Sequence, residues 1–370
     1  MTDTKKTPLA EIHESLGAKM VEFAGFLMPV SYGSIIEEHQ AVRERVGLFD
    51  VSHMGEFLVT GPGAKNFVNA IITNNCAKLK PGALQYSVMC REDGSTVDDL
   101  LVFVVDEERI VLVVNAANID KDFEHVLTFE QKNVTVENVS DAYALIAVQG
   151  PLARDVMKAS PFFSGVGREI DEVPYYNGFR FEHEGSEVLV SRTGYTGELG
   201  FEVFVEPRLA PLVWQQLSEA GAPHGLMPIG LGARDTLRFE AAYCLYGHEL
   251  DDETSPLEAG LGWVVKLKKE NFRGAETLRR QKKEGPPRTL VGFELDGRNI
   301  ARQGYAVLKD GAEVGKITSG AFSPTMKKSL CMASIDREAK IEGAEYHVVI
   351  RNKEARAALT PLPFYKSRAK

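Results

Sequence analysis

The residue pattern changes at Gly285-Pro286-Pro287, and the change limits the architectures open to the chain. Beyond it lie short alternating runs, VGFEL, YAVL and YHVVI, with turn pairs at Asp296-Gly297, Asp310-Gly311 and Glu342-Gly343. Period-two alternation closed by glycine turns specifies strands. A small β-barrel-like domain is therefore expected over residues 288–370, after a charged linker from Gln281 to Pro287.

The part before the linker mixes two periodicities. Ser34 and Glu37 have capping-box spacing, and Ile35, His39, Val42 and Val46 recur on one helical face, so a helix is expected over 34–46, ended by Gly47. Strands are expected over 84–90 and 96–105, joined across Glu92-Asp93-Gly94, with a third over 108–114. Another runs from Tyr143 to Val148, closed by Gly150-Pro151, with a helix from about Leu152. Two strands flank the TGYTGE turn within 187–206, and helices are expected from Arg208 to Ala220 and from Leu231 to Cys244. The fold class is α+β with more than one domain, as 370 residues allow.

Composition excludes several classes of function. A net charge of -9 argues against a dedicated nucleic-acid binder. No apolar run reaches the roughly 18 residues of a membrane span. The start, MTDTKKTPLAEIHESLG, reads as neither a secretory signal nor a transit peptide. The cysteines, Cys76, Cys90, Cys244 and Cys331, are far apart and form no CxxC, so reduced thiols are expected. No HExxH or paired-histidine spacing occurs, and no metal site is expected.

The residues that core packing does not ask for are few. Asp98 and Asp99 interrupt an apolar strand, TVDDLLVFVV, with apolar residues on both faces. Neighbours point to opposite faces, so at least one carboxylate faces the interior, unless the strand ends there and both are solvated. Asn115 in VVNAAN ends a strand and reads as an N-cap. Tyr195 and Glu198 sit among Gly194, Gly197 and Gly200, in a loop tight enough for close backbone approach. Arg234 stands near a helix start, as an anion clamp or as part of an intrahelical pair with Asp235 and Arg238. Met54, Tyr86, Trp263 and Tyr365 are core residues by type alone. His53 reads as a hydrogen-bonded structural histidine.

The strings VSHMGE, TVDDLLV, SRTGYTGELGFE, GLGARDTLRFEA, LYG and TSGAFSPT, in this order, resemble the aminomethyltransferase (T-protein) family of the glycine cleavage system. The resemblance runs from Thr7-Pro8-Leu9 to Pro363-Phe364-Tyr365. It implies two interleaved α/β subdomains with antiparallel sheets over residues 1–280, with internal boundaries near 55 and 140. It also implies transfer of an aminomethyl carbon from a lipoylated H-protein to tetrahydrofolate, with release of ammonia. Asp99 would be the catalytic carboxylate. Met54, Tyr86, Asn115, Tyr195, Glu198, Arg234, Trp263 and Tyr365 would surround the folate, with Glu198 on the pterin edge and Arg234 on the glutamate tail. The chain would be cytoplasmic, or in the mitochondrial matrix if it is a mature eukaryotic chain. A basic patch including Arg302, Lys316 and Lys266 to Lys269 would meet the H-protein.

The same resemblance keeps two rivals in view. A folate-dependent demethylase would share the folate site. A non-catalytic folate-binding factor for iron–sulfur assembly would carry a lysine-glycine-cysteine string, where this chain has AYCLYGHEL around Cys244.

Overall fold

The computed structural model describes residues 4–270 and 272–370. Two sheets carry the larger part. One has five antiparallel strands in the order Leu84–Cys90, Thr96–Asp106, Arg109–Val114, Gly55–Thr60, Thr135–Asn138. The other has six, in the order Gly178–His183, Ser186–Ser191, Gly200–Val205, Ala144–Gln149, Gly47–Asp50, Met227–Pro228. The first sheet draws only on residues 55–138, while the second takes strands from either side of that stretch.

The alternation in Thr96–Asp106 explains why both of its faces are apolar. Leu100, Val102 and Val104 pack with the helix Ala64–Ile71 and with Val126 of the helix Ile119–Leu127. Leu101, Phe103 and Val105 pack the other way, against Phe49, Leu145, Leu189 and Phe204 of the six-stranded sheet. The sheets thus share a core, and helices cover their outer faces. Burying side chains on both sides of one strand is the period-two rule applied to a central layer.

The last part closes into a six-stranded barrel: Arg288–Leu295, Lys328–Asp336, Ala312–Ser323, Ala306–Lys309, Tyr346–Ile350, Lys353–Thr360. Phe293, Ile317, Cys331 and Tyr346 fill it. The helix Leu231–Glu240 docks the barrel onto the rest, with Phe239 against Leu330 and Met332. No helix among the described residues is long and apolar enough to cross a membrane.

Several expected boundaries move. The first long helix is Ile35–Glu44, with Ser34 accepting from the Glu37 N–H at 3.4 Å. Gly47 does not end it but opens a strand, where a Cβ would lie 2.5 Å from Ile229 and 2.6 Å from Val42. The later helix stops at Glu240, because Ala242 turns left-handed at φ 53°. Gln281 to Glu284 are the last turn of the helix Ala275–Glu284, so the linker is confined to Gly285-Pro286-Pro287. Lys19–Phe23 and Phe26–Ser31 form an antiparallel hairpin that sequence periodicity did not single out.

Candidate functional site

A cavity of about 1260 Å³ opens where the two sheets, the N-terminal hairpin and the helix Leu231–Glu240 meet. Val51, Leu84, Val113 and Leu145 give it apolar walls. Its surface is mostly apolar, with Asp99, Asn115, Glu202 and Arg234 among the polar side chains that reach it, the usual composition of a small-molecule site.

Asp99 points into this cavity, on the face that packs toward the other sheet. The pairing Leu101↔Val113 places Asn115, just past the end of Arg109–Val114, across from Asp99. Asn115 Nδ2 donates to Asp99 Oδ1 at 2.9 Å, and the Tyr86 hydroxyl donates to Asp99 Oδ2 at 2.8 Å. Asp98 projects to the helix side and is fully buried. It accepts from the Asn115 N–H at 3.0 Å and from Asn115 Nδ2 at 2.9 Å. The two acids face opposite ways, yet one amide grips both. Asn115 therefore occupies a helix-capping position while its side chain makes no capping bond. Burial, then the Asp98 charge, pushes the Asp99 carboxyl up to about 7, against the pull of Tyr86 and Asn115.

The opposite wall holds Arg234. Asp235 pairs with Arg238 instead, with Arg238 Nε 2.8 Å from Asp235 Oδ1, and among the described residues no carboxylate lies within ion-pairing distance of Arg234. Its guanidinium lies 4.8 Å from the centre of the Tyr195 ring, whose other neighbour is the Tyr243 ring at 5.8 Å. Burial lowers its affinity for its proton, as it does for any desolvated cation. Tyr86 stacks on Trp263 at 5.8 Å, and Trp263, at 60% exposure, stands at the mouth rather than in the core. Met54 lines the wall between the sheets.

Two expected site residues do not line the cavity. Glu198 is buried with its carboxylate occupied by Arg43 Nη1 at 2.9 Å and the Tyr365 hydroxyl at 2.6 Å. Tyr365 lies with its ring 3.9 Å from the Arg43 guanidinium. Arg43 also binds Glu240 at 3.0 Å, and Glu240 takes His39 at 3.2 Å and Thr325 Oγ1 at 2.7 Å. Burial opposes ionisation of Glu240, but these bonds, with that of Ser323 and the charge of His39, hold its carboxyl down at about 2. The carboxylate that does face the cavity from the TGYTGELGFE segment is Glu202, on Gly200–Val205, and burial raises its pKa. The loop from Gly194 to Gly200 is tight because both glycines close on the Gln149 side chain, where a Cβ would come within 2.3 Å. The sequence signal for Glu202, absent from the residues expected at the site, is period-two alternation along Gly200–Val205, which sets it on the same face as Phe204.

His53 is a second correction. It lines the cavity, its buried Nδ1 has no hydrogen-bond partner, and burial with the nearby Arg234 charge brings its pKa to about 4. Lys269 is a third. Its Nζ donates to the Asn74 carbonyl at 2.7 Å and to that of Ile72, so it is not available to a docking partner. Lys266, Lys268, Arg302 and Lys316 are exposed.

Residues 9–269 match the GCVT N-terminal domain, and residues 288–366 match the glycine cleavage T-protein C-terminal barrel domain. Similar proteins include the aminomethyltransferases of Halothermothrix orenii, 49% identical over 97% of this chain and 99% of that protein, and of Desulforamulus reducens, 48% identical over 99% of each. The crystal structure of glycine cleavage system aminomethyltransferase T from Bartonella henselae superposes with a TM-score of 0.90, at 32% identity over 99% of both chains. With its sheets, barrel and cavity carboxylate, this chain belongs to the glycine cleavage T-protein family of aminomethyltransferases.

Proposed function

We propose that this chain transfers the aminomethyl carbon of a lipoyl-bearing carrier, the H-protein, to tetrahydrofolate, giving 5,10-methylenetetrahydrofolate and ammonia, and that it works in the cytoplasm. The observation that carries this reading is Asp99, a carboxylate oriented by Tyr86 and Asn115 at the wall of a large cavity. We read residues 1–280 as the folate-binding region, with internal boundaries near 55 and 140, and residues 288–370 as the barrel domain.

The residues present fit a reduced folate. Arg234 has no carboxylate partner among the described residues and suits the glutamate tail. Glu202 offers a half-buried acceptor that suits the adjacent N–H donors of a pterin. The rings of Tyr86 and Tyr195 and the apolar wall accommodate the flat middle of the molecule. Tetrahydrofolate supplies the nucleophilic amines that receive the carbon.

The protein's part is positional and electrostatic. Each Asp99 oxygen takes one protein donor and keeps capacity for another, so the group can orient an amine at the cavity wall. Its negative charge favours positive charge developing on the carbon in transfer. The apolar wall limits water there. The lipoyl arm would enter beside Trp263, with exposed Lys266, Lys268, Arg302 and Lys316 as candidate contacts for an acidic carrier.

The assay that tests this reading is methylenetetrahydrofolate formation with and without aminomethylated H-protein. Rates with the carrier should exceed those with dihydrolipoamide, formaldehyde and ammonia, and should fall faster with added salt. Equal rates with equal salt dependence would remove the carrier. A methyl donor working in its place would favour a folate-dependent demethylase.

A further inference from the structure

Behind Asp99 lies a buried acid that the reaction as described does not use. Asp122 sits in the helix Ile119–Leu127 with no exposed surface. Neither of its oxygens accepts a hydrogen bond from an N–H or O–H donor among the described residues. Asp122 stands four residues, about one helical turn, beyond Asn118, whose Nδ2 donates to Asp98 at 2.8 Å, so its carboxyl lies on the helix face turned toward Asp98. A buried carboxylate with no donor, facing a second buried acid at low dielectric, is costly to ionise, so one of the two keeps its proton.

The surroundings decide which acid carries it. Asp98 already accepts three bonds: the Asn115 N–H at 3.0 Å, Asn115 Nδ2 at 2.9 Å and Asn118 Nδ2 at 2.8 Å. That set calls for an anion with one lone-pair direction left, and Asp122 is placed to fill it. Asp122 accepts nothing and loses nothing by being neutral. Among the described residues these acids do not form a group that could hold a metal ion.

We propose that Asp122 is a positioning residue for the transfer reaction: a carboxylic acid held neutral that donates its proton to Asp98, keeps Asp98 as the anion gripping Asn115, and thereby fixes Asn115 against Asp99. The proposal rests on the role given to Asp99 above. Burial first, then the charge of Asp98, pushes the Asp122 carboxyl up to about 11, against the neighbouring Lys121. The cluster therefore carries two negative charges when Asp99 is ionised, not three. The other titratable groups around it are Tyr86, Tyr195 and Cys244, all pushed upward by burial and protonated at neutral pH, and Tyr246 beside Asp98.

The proton can be read without any activity. Infrared difference spectra between wild type and Asp122→Asn at pH 8 should show a protonated-carboxyl carbonyl stretch that the variant lacks, and the band should persist in Asp99→Asn. Its absence from wild type, or its survival in Asp122→Asn, overturns the proposal, even if tetrahydrofolate proves not to be the acceptor. Kinetics test the positioning. Asp122→Leu deletes the donor, so Asp98 takes the proton, Asn115 loosens, and kcat falls by up to roughly a hundred-fold. Its acid limb moves to lower pH, because Asp98 no longer repels charge on Asp99. Asp122→Asn, neutral with an N–H donor, should rescue both. An unmoved acid limb in Asp122→Leu, or the same shift and loss in both variants, would contradict the role.

Discussion

The segment from Thr193 to Glu202 serves two polar clusters, one buried and one half-buried at the cavity wall, and they differ in whether their capacity is spent. On one side Glu198 joins Arg43, Glu240, His39 and Tyr365. Arg43 also reaches the Thr196 carbonyl at 2.6 Å and that of Leu237 at 3.2 Å, so its donors are used within the protein. On the other side Glu202, Arg234, His53 and Asp99 face the cavity, and Arg234 and His53 Nδ1 have no partner among the described residues that would saturate them. A closed network of buried charges ties the helices Ile35–Glu44 and Leu231–Glu240 to the barrel and the C-terminal tail. An open one costs stability, and such groups are kept where a ligand completes them.

Breaking the closed cluster should damage the fold more than anything done to the open one. Arg43→Ala leaves Glu198 and Glu240 buried without their cation. Loss of about 3–5 kcal/mol of unfolding free energy is expected by urea titration. A loss within the scatter of a surface substitution would mean that the cluster is not what joins these elements.

The open cluster should respond in activity. Asp99→Asn is expected to cost about 2.7–4 kcal/mol in the transfer step, roughly a hundred- to a thousand-fold in kcat, with the thermal midpoint held or raised. Its sign with pH is definite. Unfolded, the group titrates near 3.8; folded, near about 7. The folded state therefore holds the extra proton between those values, and stability falls as pH rises through that window. Asp99→Asn should flatten that slope. Activity should rise in wild type as Asp99 ionises around pH 7, and a limb unchanged in the variant would assign the titration elsewhere. Arg234→Ala comes next, with tetrahydrofolate affinity weakened by about 1.5–3 kcal/mol in calorimetry. Asp98→Asn is milder. It removes the charge that helps raise Asp99, so the acid limb should move below 7 while Asn keeps much of the bonding to Asn115.

The same two clusters show what could be read from the sequence. The Asp98-Asp99 interruption was legible because carboxylates in an apolar strand break a pattern, and the hairpin around Glu92-Asp93-Gly94 and the barrel strands follow from alternation alone. Assigning Glu198 to the cavity was not safe from the motif. Whether a glutamate after a glycine turn meets a ligand or an internal arginine depends on Arg43, which lies 155 residues away in sequence. The helix-to-strand change at Gly47 and the early stop at Glu240 were likewise set by tertiary packing. Trp263 illustrates the reverse: by residue type it belongs to a core, and only its stacking on Tyr86 at the cavity mouth gives it a role.

The measurement that most directly separates the closed cluster from the open one is calorimetric titration of tetrahydrofolate into Glu202→Gln and Glu198→Gln, with a thermal melt of each. Glu202→Gln should weaken binding by about 1 kcal/mol, near fivefold, with little change in melting. Glu198→Gln should melt lower and bind as wild type does, since its carboxylate serves Arg43 and Tyr365. Weakened binding in Glu198→Gln with unchanged affinity in Glu202→Gln would contradict the division between the two clusters.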